Sequence, residues 1–157
     1  MVTRAERNAT DPDLGVLSGR LLFAVQRELF TTLAEQGFDD LRHRHGAVPA
    51  YLDPDGVRAT GLPRPAGQSR QIVGILIDEL EALGYVERRP DPSDRRAKLI
   101  CPTERGLSQM RAADAIMNAI QQRHARRLGQ KSYDEFKRML TDITEHQRGH
   151  LRSAGED

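Results

Sequence analysis

Apolar residues recur at helical spacing from Leu14 onward, at Leu14, Leu17, Leu21, Leu22, Val25, Leu29 and Leu33, and the pattern ends at Gly37. Positions three and four apart share one helix face, so this stripe predicts a long amphipathic helix that stops at the glycine. Residues 1–13 show no such period and are expected to be disordered. A short second helix is predicted over residues 40–52, with Val48, Tyr51 and Leu52 inward and Pro49 shortening or bending it. Asp53-Pro54-Asp55-Gly56 reads as a turn.

Residues 57–67 then take the place of a third helix, which Pro63 and Pro65 should leave short or irregular because each removes a backbone donor. Gly67-Gln68-Ser69 reads as the turn before the next helix, with Ser69 as its N-cap. That helix, residues 69–83, directs Ile72, Val73, Leu76, Ile77, Leu80 and Leu83 toward its own domain. Tyr85-Val86 and Leu99-Ile100 favour strand, and Pro90-Asp91-Pro92-Ser93-Asp94 between them cannot continue a helix, so a two-stranded hairpin follows. Thr103 is the expected cap of a long helix carrying Leu107, Met110, Ile116 or Met117, and Ile120, which runs to about Leu128-Gly129. Ser132-Tyr133-Asp134-Glu135 has the form of a capping box, and Phe136, Met139, Leu140, Ile143 and Leu151 mark one face of a last helix. Residues 153–157 are expected to be disordered. The predicted fold is mainly α with a small β-hairpin wing. A helix leading into a basic hairpin is the layout of a winged helix-turn-helix.

Size and composition narrow the picture. A chain of 157 residues suits one domain with a moderate core. Aromatics make up only 4% and tryptophan is absent, which is lean for a lone globule and fits long helices that hide apolar stripes against a second subunit. No apolar run approaches the ~18 residues that suggest a membrane span, and the single cysteine excludes an intramolecular disulfide framework. A soluble, cytoplasmic protein with no membrane partner is expected. The net charge of +1 says nothing about nucleic acid, but its distribution does. Residues 56–77 contain Arg58, Arg64 and Arg70 and no acid, while 88–98 contain five basic residues against two acids. A locally basic face on a nearly neutral protein suits a sequence reader that must not adhere to every phosphate.

The stretch Asp91 to Gly106, Asp-Pro-x-Asp-Arg-Arg-x-x-x-Ile-x-x-Thr-Glu-x-Gly, resembles the wing of MarR-type transcriptional regulators. Leu80-Glu81-Ala82-Leu83-Gly84-Tyr85-Val86 before it resembles the end of that family's recognition helix. The likeness is strong over residues 68–106 and rests on helix order elsewhere, and Pro102 departs from it, standing where the family usually has leucine. The resemblance implies a homodimeric DNA-binding repressor or activator that often answers to a small ligand or an oxidant, and a repressor is expected here. It assigns residues 14–37 and 103–152 to a helical dimerisation region and 38–102 to a winged helix-turn-helix lobe. The expected partners are a second copy and double-stranded DNA carrying a pseudo-palindromic operator.

Candidate contacts with DNA come first from the residues themselves. Arg70, Gln71, Gly74 and Asp78 lie on the helix side left over by the apolar stripe. Arginine can pair bidentately with guanine and glutamine with adenine, and Gly74 would let DNA approach. Ser69 joins them as the cap. In the wing, the resemblance implies that Arg96 enters the minor groove and Asp94 steadies it, with Arg95 and Lys98 on phosphates. It also implies a ligand pocket where the first, second and fifth helices meet. Phe23, Arg27, His45 and Tyr51 are the candidate lining by position, a set suited to a small aromatic or acidic ligand but equally explained by core packing.

Other readings stay open. A winged helix can bind protein through its hairpin. The pairs His43/His45 and His146/His150 could sense a metal, although solvated helix histidines explain them as well. Cys101 has no evident partner for redox sensing. No phosphate loop, nucleophile motif or close metal-ligand set appears, so neither an enzyme nor a bound cofactor or metal is expected.

Overall fold

The computed structural model describes residues 3–62 and 70–154, without the side chains of Arg95 and residues 152–154. The chain divides into two units, Met1–Ile116 and Met117–Asp157. The first begins with a short helix, α1 (Arg4–Thr10), in the stretch expected to be disordered. Its cause is local. Thr3 Oγ1 accepts from the Glu6 N–H at 3.2 Å while the Glu6 carboxylate accepts from the Thr3 N–H at 2.7 Å. This capping box starts a helix with no apolar period to announce it.

Helix α2 (Leu14–Glu35) follows the predicted stripe, capped by Asp13, whose carboxylate accepts from the Val16 N–H at 2.9 Å. Gly37 ends the segment at φ 92°, a conformation that side-chain-bearing residues rarely adopt. Beyond it, the predicted second helix is two 3-10 turns, His43–Ala47 and Pro49–Tyr51. Proline at the start of the second turn lacks the N–H that a continuous helix would need there. Val48 and Leu52 are buried as expected, but Tyr51 points outward and is 57% exposed.

The region expected to hold a third helix opens instead with a strand, β1 (Val57–Arg58), and a 3-10 turn, Ala59–Gly61. Pro63, Pro65 and the Gly67-Gln68-Ser69 turn lie outside the described residues. Helix α3 (Arg70–Ala82) leads through Gly84 into β2 (Val86–Asp91) and β3 (Asp94–Pro102). The wing is therefore three-stranded, antiparallel and ordered β1-β3-β2. Val57 pairs with Ile100, and β2 pairs with β3 from Val86↔Pro102 to Pro90↔Lys98 before the register shifts at Asp91↔Asp94.

Leu41, Val48, Leu52, Leu62, Val73, Leu76, Ile77, Leu80, Tyr85, Val86 and Ile100 form the core of this unit. Ile72, expected inward, is 41% exposed because it sits about a quarter turn from the centre of the α3 stripe. Helix α4 (Glu104–Leu128) starts at Thr103, whose hydroxyl oxygen accepts from the Gly106 N–H at 3.1 Å and donates to Gly84 O at 2.6 Å. One threonine thus joins the start of α4 to the turn that follows α3.

In the second unit, the remainder of α4 meets α5 (Gln130–Ala154) at a single residue, Gly129, with φ 85°. Helix α5 starts before Ser132, which lies inside the helix and does not cap it. The glycine makes the turn, and Gln130 Nε2 donates to Asp134 at 2.9 Å. The helix also continues through Ser153 and Ala154.

Gly106 offers a sharp test of the α4 start. A Cβ placed there would lie 2.0 Å from Tyr85 O, a backbone atom with little freedom to move. Gly106→Ala should lower stability by about 1–3 kcal/mol, the range for overpacking a filled site. Urea unfolding followed by circular dichroism measures it, and an unchanged midpoint would contradict the packing.

Candidate nucleic-acid interface

Helix α3 buries Val73, Leu76, Ile77 and Leu80, so the geometry of a 3.6-residue turn directs Gln71, Ile75, Asp78 and Ala82 away from the core. All four are exposed, as is Arg70 on the flank. Gly74 is half-buried, and a Cβ there would meet nothing within 4 Å among the described residues. Ser69, the expected cap, lies outside those residues. Strand β3 presents exposed Arg96 and Lys98; the Arg95 side chain is not among those described.

The charges on this surface are sorted. All three α3 acids are held by cations from elsewhere in the lobe. Arg88 of β2 donates to Asp78 at 2.5 Å and to the Glu81 carboxylate, and its backbone N–H donates to Glu81 at 3.2 Å. Glu79 accepts from Arg44 Nε at 2.9 Å and Nη2 at 3.1 Å, which holds its carboxyl below the usual range, and also bonds His45 Nε2 at 2.8 Å. By contrast, Arg70, Arg96 and Lys98 take part in no ion pair among the described residues. Internal pairing removes the negative charge of the helix from the reckoning and leaves cations facing outward.

The tip of the hairpin is built on Asp91, a residue the sequence reading passed over. Its Oδ1 accepts from the Ser93 N–H at 2.8 Å and hydroxyl at 2.7 Å, while Oδ2 accepts from Arg58 Nε at 2.7 Å. The serine bonds foremost, then the arginine, pull its carboxyl down to about 2. Asp94 also steadies the tip, through the Arg96 backbone N–H at 3.0 Å. The Asp-Pro-Ser wording carried a signal for the aspartate, since such side chains close turns on the backbone two residues on. Nothing local could reveal Arg58.

A further network seats the lobe. Tyr85 is fully buried, and its hydroxyl donates to Asp40 at 2.5 Å. Arg105 pairs with the other Asp40 oxygen at 3.0 Å, lies 4.3 Å from the Tyr85 ring centroid and donates to Leu83 O at 2.7 Å. Burial first, then the hydrogen bond to Asp40, pushes the tyrosine hydroxyl well above its ordinary range, so it remains a donor.

The four candidate ligand residues do not converge. Phe23 and Arg27 share a solvent-open face of α2 with Arg20, Ala24, Thr31 and Thr32, and neither His45 nor Tyr51 joins it. His45 is buried with both ring nitrogens engaged: Nδ1 accepts from the Arg42 N–H at 3.0 Å, which leaves Nε2 as the donor toward Glu79. It is a strut to α3. His43 rests against Phe30, ring centroids 4.8 Å apart. Cys101 is buried beneath the Asp53–Gly56 turn, its Sγ 3.7 Å from Asp55 O.

No protein-family model and no curated protein matches the sequence. Solved structures do. The chain is 31% identical to CouR from Rhodococcus jostii RHA1, in a structure bound to p-coumaroyl-CoA, over 83% of this chain and 91% of that one, with a TM-score of 0.67. It is 29% identical to a transcriptional regulator (MarR family) from Rhodococcus sp. RHA1 over 85% and 95%, TM-score 0.66. A structure of the transcriptional repressor CouR bound to a 23-mer DNA duplex matches 90% of this chain and 99% of that one at TM-score 0.69, and at 23% identity speaks to the fold alone.

Asp91 gives the wing a pH signature. Its folded value of about 2 lies below the about 3.9 of an unfolded aspartate, so the stabilisation is present above about pH 4 and fades as pH falls toward 2. The difference in melting temperature between wild type and Asp91→Asn should hold steady above pH 5 and shrink between pH 4 and 2. A difference independent of pH would exclude the charged anchor.

Proposed function

The chain belongs to the MarR family of transcriptional regulators, and on that premise we propose that it is a homodimeric repressor that reads a pseudo-palindromic operator with two α3 helices and two wings. One observation carries the proposal: every acid on α3 is ion-paired inside the lobe, while Arg70, Arg96 and Lys98 are left facing outward. Arg70 and Gln71 read base edges in the major groove from the first turn of α3, and Gly74 keeps the approach clear. Arg96, with its backbone held by Asp94, enters the minor groove, and Lys98 binds phosphate. Arg95 is assigned to phosphate from sequence alone, as is Ser69 to the cap of the reading helix. A structure of CouR bound to a 23-mer DNA duplex supports DNA binding by a chain of this fold.

The second half of the proposal is assembly. Leu14, Leu17, Leu21, Leu22 and Phe23 of α2 are each more than two-fifths exposed, and Phe136, Met139, Leu140 and Ile143 of α5 are also exposed. Two amphipathic helices with apolar faces open to water are what an intersubunit interface buries. Residues 14–37 and 103–152 are accordingly the proposed dimerisation region. A small ligand that alters the separation of the two lobes would change DNA affinity, and the p-coumaroyl-CoA complex of CouR supports a ligand carrying an aromatic acyl group. Phe23 and Arg27, which share a face of α2, are the residues put forward for it.

Arg70→Ala and Arg96→Ala should both weaken operator binding in fluorescence anisotropy, with different signatures. Loss of Arg70 should cost about 1–3 kcal/mol and relax preference at one base pair per half-site. Loss of Arg96 should act at A·T-rich positions and reduce the salt slope by about one. Unaltered affinity in both variants would remove the assignment.

Sedimentation at micromolar concentration should give a species of about twice the 17.6 kDa chain mass, since an interface of obligate size is saturated there. A folded monomer would defeat the dimer and, with it, palindromic reading.

A further inference from the structure

Ile75 stands at the centre of the outward face of α3 and is 49% exposed, although it is one of the most apolar side chains in the lobe. It belongs neither to the buried core nor to the partly buried residues packed against it. A β-branched residue also lowers helix propensity slightly, so helix stability does not account for it. Its surroundings are specific. Gln71 lies one turn before it, Asp78 one turn after and Ala82 two turns after, all exposed. Gly74 beside it has no side chain, and Ala82 has a single methyl group. Ile72, one turn before it on the flank, is also 41% exposed, and the missing side chain at Gly74 leaves Ile75 the foremost apolar group on this face.

The chemistry such a group recognises in a duplex is narrow. In the major groove, guanine, cytosine and adenine present hydrogen-bonding edges, whereas thymine adds an apolar C5 methyl group. Isoleucine can offer no hydrogen bond and gains only by covering apolar surface. Asp78, which would repel phosphate at the same face, is neutralised by Arg88 at 2.5 Å. We infer that Ile75 is a specificity-determining residue that packs on a thymine methyl group in each half-site, next to the base contacted by Gln71. The inference rests on the DNA-reading role proposed for α3.

The test uses the full-length protein and a duplex selected by it from a random-sequence pool. Each thymine of that duplex is replaced in turn by 2′-deoxyuridine, which removes the methyl group and leaves base pairing intact. Wild type should bind about fourfold more weakly for each methyl group lost at the contacted position, the effect of exposing one buried carbon. Ile75→Ala should be indifferent to that replacement, and Ile75→Val, which keeps two methyl groups, should retain most of the sensitivity. Because the side chain is exposed, both variants should melt with the wild type. Deoxyuridine effects of equal size in wild type and Ile75→Ala, or no effect at any thymine, would overturn the inference while leaving DNA reading by α3 intact. Failure of wild type to select any sequence would overturn both.

Discussion

The role proposed for α3 and the wing requires the two to keep a set spacing, and in this lobe Arg88 links them. Its guanidinium reaches from β2 to Asp78 and Glu81 on α3 while its own backbone N–H is held by Glu81. Single ion pairs at a surface contribute little to stability, but a planar fork that meets two carboxylates restricts orientation as well as distance. The same contact removes two negative charges from the side of the helix that would face phosphate. Glu79 is held in the same way from the other flank by Arg44 and His45, so α3 is gripped along both edges.

This arrangement explains how a protein of net charge +1 can present a basic surface. The excess arises from where the charges fall along the chain, with three arginines and no acid in residues 56–77, and pairing screens the acids of α3. The acids of α3 are paired with Arg44 and Arg88, while Arg70, Arg96 and Lys98 stay exposed at the start of α3 and on β3. A weak overall field with a few well-placed cations favours discrimination over indiscriminate adhesion to phosphate.

Much of the fold was legible because its signals are local. The stripe of α2, the hairpin and the Thr103 cap each depend on residues within a few positions of one another, and the Thr3-x-x-Glu6 box was equally local although it was passed over. β1 was not legible, since Val57 becomes a strand by pairing with Ile100, more than forty positions away. The same holds at the tip of the wing. Asp94 was singled out by spacing, yet Asp91 has more partners than Asp94 there, and its arginine lies 33 residues upstream. Of the interface, the outward placement of Arg70, Gln71 and Asp78 followed from helical period alone. The same period leaves Ile75 off the inward stripe, but an apolar side chain among polar ones carries no hydrogen-bonding signal to single it out. Position along the chain cannot say that Tyr51 turns outward or that His45 has both nitrogens occupied, so the four ligand candidates do not come together.

The packing of Cys101 has a practical side. Its sulfur sits so close under the turn that a Cβ at Gly56 would come within 2.5 Å of it, and the thiol is 2% exposed. Maleimide reagents require an ionised thiol that they can reach. A cysteine introduced on the exposed face of the hairpin would therefore be the site that takes a fluorophore, with the native sulfur left in place. Protein–DNA distances could then be followed optically in a chain whose interior is unaltered.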